Sequence, residues 1–205
     1  MQLRADAQRN RDLILAAADA VFLELGPGAP LDQIAERAGV GNATLYRRFP
    51  TREDLLKQVA MDNMRQVDEE ARAALAEEPD AWSALVRFCH AVVERRIVAL
   101  LPIIGSHVPI DKEFKRVRRQ VVDGLGELLA AGRREGVLRA DVEVGDLVLV
   151  LATVARPLPA VPEEVAAAVR PRHLGLVLDG LRADSATQLA GEPIGAEEVA
   201  GRFRR

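Results

Sequence analysis

The sequence contains one cysteine, Cys89, and only three histidines. One cysteine cannot form a disulfide within the chain, and cysteines and histidines this sparse exclude the clustered ligands of a structural zinc site. The sequence also lacks a phosphate-binding glycine loop and a set of Ser, His and Asp residues spaced for nucleophilic catalysis. We therefore expect no enzyme activity, no metal and no cofactor.

Long apolar segments are also absent. The longest, residues 147–155, has about half of the ~18 residues that suggest a membrane span. The N-terminal residues MQLRADAQRNRD lack the apolar core of a signal peptide. We expect a cytoplasmic protein that does not associate with membranes.

The net charge is small, -3 at pH 7, which argues against a strongly basic protein that coats nucleic acid without specificity. Residues 1–58 carry eight basic and eight acidic residues, so DNA binding would need a local cluster such as Arg47, Arg48 and Arg52. Apolar residues make up 49% and charged residues 29%, and Ala, Leu, Glu and Arg are abundant. This composition predicts a globular, all-α protein.

The strongest local pattern lies in residues 31–49 and predicts two short helices joined by a tight turn. Gly39 follows the first apolar series, and glycine there readily adopts the left-handed conformation that ends a helix. A second helix is expected to begin at once, with Gly41 or Asn42 as its N-cap. Two helices joined in this way form a helix-turn-helix, whose second helix can enter the major groove of DNA. The apolar residues that define the first helix recur at three- and four-residue steps: Leu31, Ile34, Ala35 and Ala38.

The outward face of the second helix suits DNA. With Leu45 and Phe49 placed on the buried side, the small residues at its N-terminus allow a close approach to base edges, and its free amides favour phosphate. Thr44, Tyr46 and Arg47 supply hydroxyl and guanidinium donors on the same helix. We expect Arg47 to help discriminate between base pairs.

The segment TLYRRF followed by PTREDLL closely resembles the DNA-binding domain of the TetR (tetracycline-repressor-like) family of bacterial transcriptional regulators. The resemblance is specific over about residues 9–58. It implies base contacts by Asn42, Ala43 and Thr44, and phosphate contacts by Tyr46, Arg48 and Arg52. Two positions depart from the family pattern. Pro30, which is expected as an early helical residue, stands where Ser or Thr is usual, and Gly41 stands where Ser is common. The full set of predicted DNA-binding residues is Gln33, Asn42, Ala43, Thr44, Tyr46, Arg47, Arg48 and Arg52.

The predicted domain order is a three-helix DNA-binding head (1–50), a helical ligand-binding and dimerisation domain (51–183) and a flexible tail (184–205). Helices are expected over about residues 9–25, 52–76, 81–101, 111–135 and 146–155. A short helix to Arg170 and another after Pro171 complete the list. Residues 147–155 are apolar around the whole circumference, and periodicity alone leaves a strand possible there, although helical neighbours favour a helix.

By resemblance to the family, a small molecule would bind among the helices of residues 52–135. Arg96 falls inside the apolar stripe of the predicted helix 81–101, where it would snorkel to the surface, form an ion pair or contact a ligand. The aromatic and apolar candidates are equally consistent with core packing. The predicted ligand-binding residues are Trp82, Phe88, Cys89, Arg96 and Phe114.

The last two helices are predicted to pair with those of a second subunit in a four-helix interface with two-fold symmetry. The alternative is that they close the core of a single chain. The predicted interface residues are Leu147, Val150, Leu151, Val154, Leu174, Val177, Leu178 and Leu181.

Together these features indicate a homodimeric, sequence-specific regulator, most simply a repressor that a small molecule releases from a palindromic operator. Repressor and activator are not distinguished by the sequence. The competing interpretation is a helical protein-interaction module with a degenerate helix-turn-helix, which Pro30 and Gly41 favour.

Overall fold

The computed structural model describes residues 2–104, 107–158, 160–184 and 187–195. Within these ranges the chain forms nine α-helices and no β-strand, which confirms the all-α fold. The helices are α1 (Gln2–Leu25), α2 (Leu31–Arg37), α3 (Asn42–Arg48), α4 (Arg52–Glu77), α5 (Ala81–Glu94), α6 (Leu101–Ile104), α7 (Lys112–Arg134), α8 (Val144–Ala155) and α9 (Glu163–Leu181).

Helices α1 to α3 form the N-terminal head. Helix α1 begins at Gln2, seven residues before the predicted start, and ends at Leu25 as expected. The turn between α2 and α3 is a Schellman motif, in which Gly39 has φ +67 and the amide of Val40 donates to the carbonyl of Ala35 at 3.0 Å. This motif satisfies two carbonyls at the end of α2 and sends the chain directly into α3.

The apolar faces predicted for α2 and α3 are buried, and they pack against α1 and the start of α4. Ile34 and Leu45 are completely inaccessible, and they join Phe22 of α1 and Leu55 of α4 in one core. The helix-turn-helix predicted from the spacing of apolar residues is therefore present.

Helix α4 connects the head to the rest of the chain. The Thr51 hydroxyl caps its N-terminus by accepting from the Asp54 amide at 3.1 Å. Its 26 residues span about 39 Å at the rise of an α-helix. Because α4 packs against α1 in the head and against α5 and α7 in the body, it is common to both parts.

Helix α5 is shorter than predicted, since it ends at Glu94 instead of continuing to residue 101. Arg96 has φ +58, a left-handed conformation that cannot continue a right-handed helix. The prediction that Arg96 lies on a helical stripe is wrong for this reason. Helix α7 matches its prediction closely, with Asp111 as its N-cap and Gly136, at φ +69, immediately after its C-terminal end.

Residues 147–155, for which the sequence left a strand possible, lie in helix α8. This helix begins with a capping box formed by Glu143 and Asp146. Helix α9 is continuous from Glu163 to Leu181, whereas two helices separated at Pro171 were predicted. Pro171 removes one helical hydrogen bond, but both it and Ala167, whose carbonyl loses its partner, are exposed to water. The helix therefore tolerates the proline.

Residues 187–195 of the predicted flexible tail lie against the body and form hydrogen bonds with it. Arg139 donates to the carbonyl of Thr187 at 2.7 Å, and the amide of Ile194 donates to the carboxylate of Asp146 at 3.1 Å. A Cβ at Gly145 would lie 2.9 Å from the Gly195 carbonyl, so the tail backbone crosses α8 where only a hydrogen is present. Composition alone did not reveal that side chains of the body satisfy the tail backbone. Residues 185–186 and 196–205 of the predicted tail lie outside the described residues.

Candidate nucleic-acid interface

The exposed face of α3 lies opposite its buried Leu45. Asn42, Ala43, Tyr46 and Arg47 are exposed, at the i, i+1, i+4 and i+5 positions that share one side of a helix. Thr44 and Arg48 are half-buried at the edges of this face, and Gln33 is exposed on α2. The fold thus presents seven of the eight predicted DNA-binding residues from the two helices of the motif.

The N-terminus of α3 has no side-chain cap. Gly41 is the N-cap residue, and the first hydrogen bond within the helix runs from the Thr44 amide to the Gly41 carbonyl at 2.8 Å. The amides of Asn42 and Ala43 precede it and are left for solvent or a ligand. A side chain at Gly41 would meet nothing within 4 Å, so packing does not require glycine there.

The charge of this face comes from Arg47 and Arg48, in the last turn of α3. Neither forms an ion pair with any residue in the part of the chain that the structure describes. Arg37, at the end of α2, differs because it is paired with Glu24 at 2.7 Å. No carboxylate within the described ranges therefore neutralises the guanidinium groups of these two arginines.

Arg52 is placed differently from the other predicted phosphate ligands. Its Nη1 donates to the carbonyl of Pro27 at 3.3 Å and also to the carbonyl of Ala29. These bonds tie the start of α4 to the loop between α1 and α2. Its phosphate contact remains a prediction that would use the other donors of the guanidinium. Pro30, expected as an early helical residue, is instead the N-cap of α2 and provides no side-chain cap.

The sequence matches two family models that together cover most of the chain. Residues 14–59 match the family described as bacterial regulatory proteins of the tetR family, and residues 80–183 match the C-terminal domain of SbtR-like transcriptional regulators. The chain belongs to the TetR family. It is a DNA-binding transcriptional regulator, and the competing interpretation of a degenerate motif is not favoured.

Individual relatives agree with this assignment. The uncharacterised HTH-type transcriptional regulator TtgW of Pseudomonas putida is 31% identical over 124 residues, which is 60% of this chain and 81% of the relative. The TetR regulator SCO0520 of Streptomyces coelicolor is 33% identical, covers 84% of this chain and 98% of its own, and has a TM-score of 0.59. LfrR of Mycobacterium smegmatis, solved with proflavine, shares the fold at 21% identity and a TM-score of 0.64, covering 88% and 99%.

TetR-family membership also places this chain among transcription factors, which are not enzymes. Among the described residues, no group of three or more His, Cys, Asp or Glu side chains is arranged to hold a metal ion. No helix in the described ranges has the length and apolar character needed to cross a bilayer.

Three of the predicted ligand-binding residues of this TetR regulator belong to the packed core. Phe88, Cys89 and Phe114 are buried among apolar side chains, and burial raises the pKa of the Cys89 thiol to about 12. Trp82 is half-buried, with the guanidinium of Arg182 4.5 Å from its ring centroid. Contact of Trp82, Phe88, Cys89 and Phe114 with an effector remains a prediction.

A cleft of about 450 Å³ lies elsewhere, between α1, α4 and the turn after α5. Asp19, Asp62, Asn63 and Ile97 are among the residues that line it. Sequence reasoning missed this cleft because the polar residues that α1 and α4 contribute to it, such as Asp19 and Asp62, are more than forty positions apart and share no motif.

The predicted dimer residues divide into two groups. Val150, Val154 and Val177 are half-buried and can still contribute to a contact. The other five are buried in the core of the single chain, as the alternative interpretation expects, and their part in a dimer contact stays a prediction: Leu147, Leu151, Leu174, Leu178 and Leu181.

The sequence did not predict an exposed apolar surface on α9 and the connection before it. Leu176 is 72% exposed and Val165 is 50% exposed. They are eleven residues apart, three turns of helix, and therefore share one face of α9. Leu158 and Val161, in the connection before α9, are exposed as well. Periodicity gave no signal for this surface, because α9 carries apolar residues on several sides.

Proposed function

We propose that this TetR-family protein is a homodimeric transcriptional repressor that binds a palindromic operator and that a small molecule releases it. The observation that carries the DNA-binding part is the exposed face of α3, whose Arg47 and Arg48 are not paired with carboxylates in the described part of the chain. The protein acts in the cytoplasm, where its operator lies.

The contacts divide by chemistry. Asn42, Ala43, Thr44 and Arg47 read base edges, because they occupy the N-terminal turn and outward face of the helix that enters the major groove. Phosphate contacts supply most of the affinity and make it depend on salt. The proposed phosphate ligands are Tyr46, Arg48 and Arg52, and Gln33 is a further proposed DNA contact.

The dimer forms through the outward face of α8 and α9. A protein surface with Leu176 72% exposed and Val165, Leu158 and Val161 nearby along the chain is costly to leave in water. A two-fold axis through this face would bury the same side chains twice and place two copies of α3 about one turn of DNA, roughly 34 Å, apart.

The effector is a small molecule that binds the body and changes the separation of the two α3 helices. The proflavine complex of LfrR supports a small-molecule effector class by similarity of fold. The binding region of α4, α5 and α7 includes Trp82 and Arg96. Because Phe88, Cys89 and Phe114 are packed, an effector that reaches them must bind a more open arrangement better than this one.

The test is selection of random duplex DNA on the purified full-length protein at two salt concentrations, followed by sequencing of the bound pool. We expect an enriched inverted repeat whose affinity falls steeply as salt rises. A folded protein that enriches no sequence would contradict the proposal and would favour the interaction-module interpretation instead. The enriched repeat then serves to screen small molecules for release and, placed near a promoter, to separate repression from activation.

A further inference from the structure

The first turns of α4 are bound to the head. Leu55 is completely inaccessible in the core that this part of α4 shares with the head. Arg52 donates to two carbonyls of the loop between α1 and α2, and Gln58 accepts from Arg11 of α1 at 3.0 Å. Residues 52–58 are therefore fixed to the head, although they begin a helix that continues into the body.

One side chain of this head-bound segment reaches the body. Nζ of Lys57 donates to Oδ2 of Asp111 at 2.5 Å and lies 3.9 Å from the carboxylate of Glu113. Only 14% of the Lys57 side chain is exposed. An exposed ion pair usually contributes little, but a cation that is largely withdrawn from water needs its partner. The hydrogen bond from Lys57 lowers the pKa of Asp111, so this carboxylate is charged at neutral pH.

Asp111 also begins α7. Its Oδ1 accepts from the amide of Phe114 at 2.9 Å, which caps the helix. The two oxygens of one carboxylate therefore bind different elements, the first turn of α7 and the head-bound segment of α4. Because Phe114 is one of the predicted effector-binding residues, this carboxylate also joins the predicted effector region to the head.

We propose that Lys57 and Asp111 are positioning residues whose ion pair fixes the orientation of the head on the body. The inference rests on the proposed dimeric DNA-binding function. In that dimer α8 and α9 fix the body relative to the two-fold axis, and α7 packs against α8. A bond from the start of α7 to residues fixed to the head therefore restricts the separation of the two α3 helices. Its consequence is selectivity for the spacing between half-sites.

The test compares binding of the full-length protein to its selected repeat and to repeats with one base pair added or removed between the half-sites. Lys57→Met keeps a long, unbranched side chain of similar helix propensity and removes the charge. We expect its discrimination between spacings, measured as the ratio of dissociation constants, to fall about fivefold, the lower end of ordinary coupling energies. Lys57→Arg keeps the charge and should restore part of the discrimination.

The matched control for Lys57→Met is Arg65→Met. Arg65 lies on α4 beyond the head-bound segment and is 3.6 Å from Glu113, at the same end of α7. Its loss removes an ion pair between the same two helices without releasing residues 52–58. We therefore expect Arg65→Met to discriminate between spacings as the wild type does.

Asp111→Asn tests the other partner, because asparagine caps a helix about as well as aspartate does. It should lose discrimination as Lys57→Met does, and the double variant should lose no more than either single variant, since the same ion pair is removed in all three. The matched control is Asp80→Asn at the N-cap of α5, where the carboxylate accepts from the Ser83 amide at 2.8 Å. This control should discriminate as the wild type does.

Wild-type discrimination by folded Lys57→Met would overturn the inference, and so would additive losses in the double variant. If Lys57→Met unfolds, as thermal unfolding would show, Asp111→Asn and Asp80→Asn decide the question. A loss of discrimination in Asp111→Asn alone would support the inference, and equal discrimination by the two variants would overturn it. A wild-type protein that selects no repeat would overturn the proposed function and the inference with it, whereas unchanged variants on a selected repeat would overturn the inference alone.

Discussion

Leu176→Glu should separate the proposed dimer while leaving each chain folded. Leu176 is 72% exposed on α9, so its side chain contributes little to the stability of the single folded chain. Leucine and glutamate have similar helix propensities, and substitutions at exposed positions usually change the free energy of unfolding by less than about 0.5 kcal/mol. Any large effect of this substitution must therefore come from assembly.

The size of the effect follows from the exposed fraction. Full burial of a leucine side chain contributes about 1.5–3 kcal/mol, and 72% of that is roughly 1–2 kcal/mol for each protomer. Two copies meet in a two-fold interface, so the dimer loses about 2–4 kcal/mol. At 1.4 kcal/mol for each factor of ten, the dissociation constant should rise between roughly 30-fold and 700-fold. Two carboxylates brought into the same interface would add to this loss.

Sedimentation equilibrium over a range of protein concentrations measures the dissociation constant directly. Leu13→Glu is the matched control, because Leu13 is also an exposed leucine, at 46%, but lies on α1 in the head. We expect Leu13→Glu to assemble like the wild type. Equal dissociation constants for the two variants, or loss of the folded monomer in Leu176→Glu, would refute the reasoning about this face.

Three further results are expected. Gly145→Ala should lower the free energy of unfolding by about 1 kcal/mol, because the new Cβ would collide with the tail backbone and displace a hydrogen bond. Its control, Gly126→Ala, has open space around the new Cβ and should raise the free energy of unfolding by up to about 1 kcal/mol. Thermal unfolding that ranks the two variants in the reverse order would contradict this expectation. Cys89, with its pKa raised to about 12, should resist a thiol reagent at about pH 8 until the protein is denatured, and prompt reaction in the native state would show that the core is open. In equilibrium binding assays Arg47→Ala should lose about 1–3 kcal/mol of binding free energy on the selected repeat and less on random duplex, whereas Tyr46→Ala should weaken binding to the two DNAs equally. Equal losses of Arg47→Ala on the two DNAs would contradict a role of Arg47 in base reading.

Local sequence was sufficient for the head, because the interactions that define it are short in range. The end of α2 depends on a left-handed Gly39 and on an amide only five residues from its acceptor. Ile34 and Leu45 are buried because their own helices can present a single apolar side. The residues placed on the outer face followed from the same periodicity, although their contacts with DNA are still predictions.

Contacts between distant segments account for two features that the sequence alone did not predict, the turn at Arg96 and the position of the tail. Arg96 leaves the helix in a turn whose Arg95 and Ile97 line the same cleft as Asp19, more than seventy positions earlier. Its guanidinium lies 3.7 Å from Glu163, sixty-seven positions later. Ile194 in the tail is held by Asp146 of α8, although the composition of that segment resembles a free terminus.

The sequence by itself determined the all-α fold, the helix-turn-helix and the family, since helical periodicity, a glycine turn and a local motif are properties of neighbouring residues. Only the tertiary structure decided which apolar side of α9 remains exposed, with Leu178 inside and Leu176 outside. A helix that is apolar on several sides does not specify its own orientation. Packing against α5 and α8 chooses the buried side, and what remains in water becomes the candidate interface.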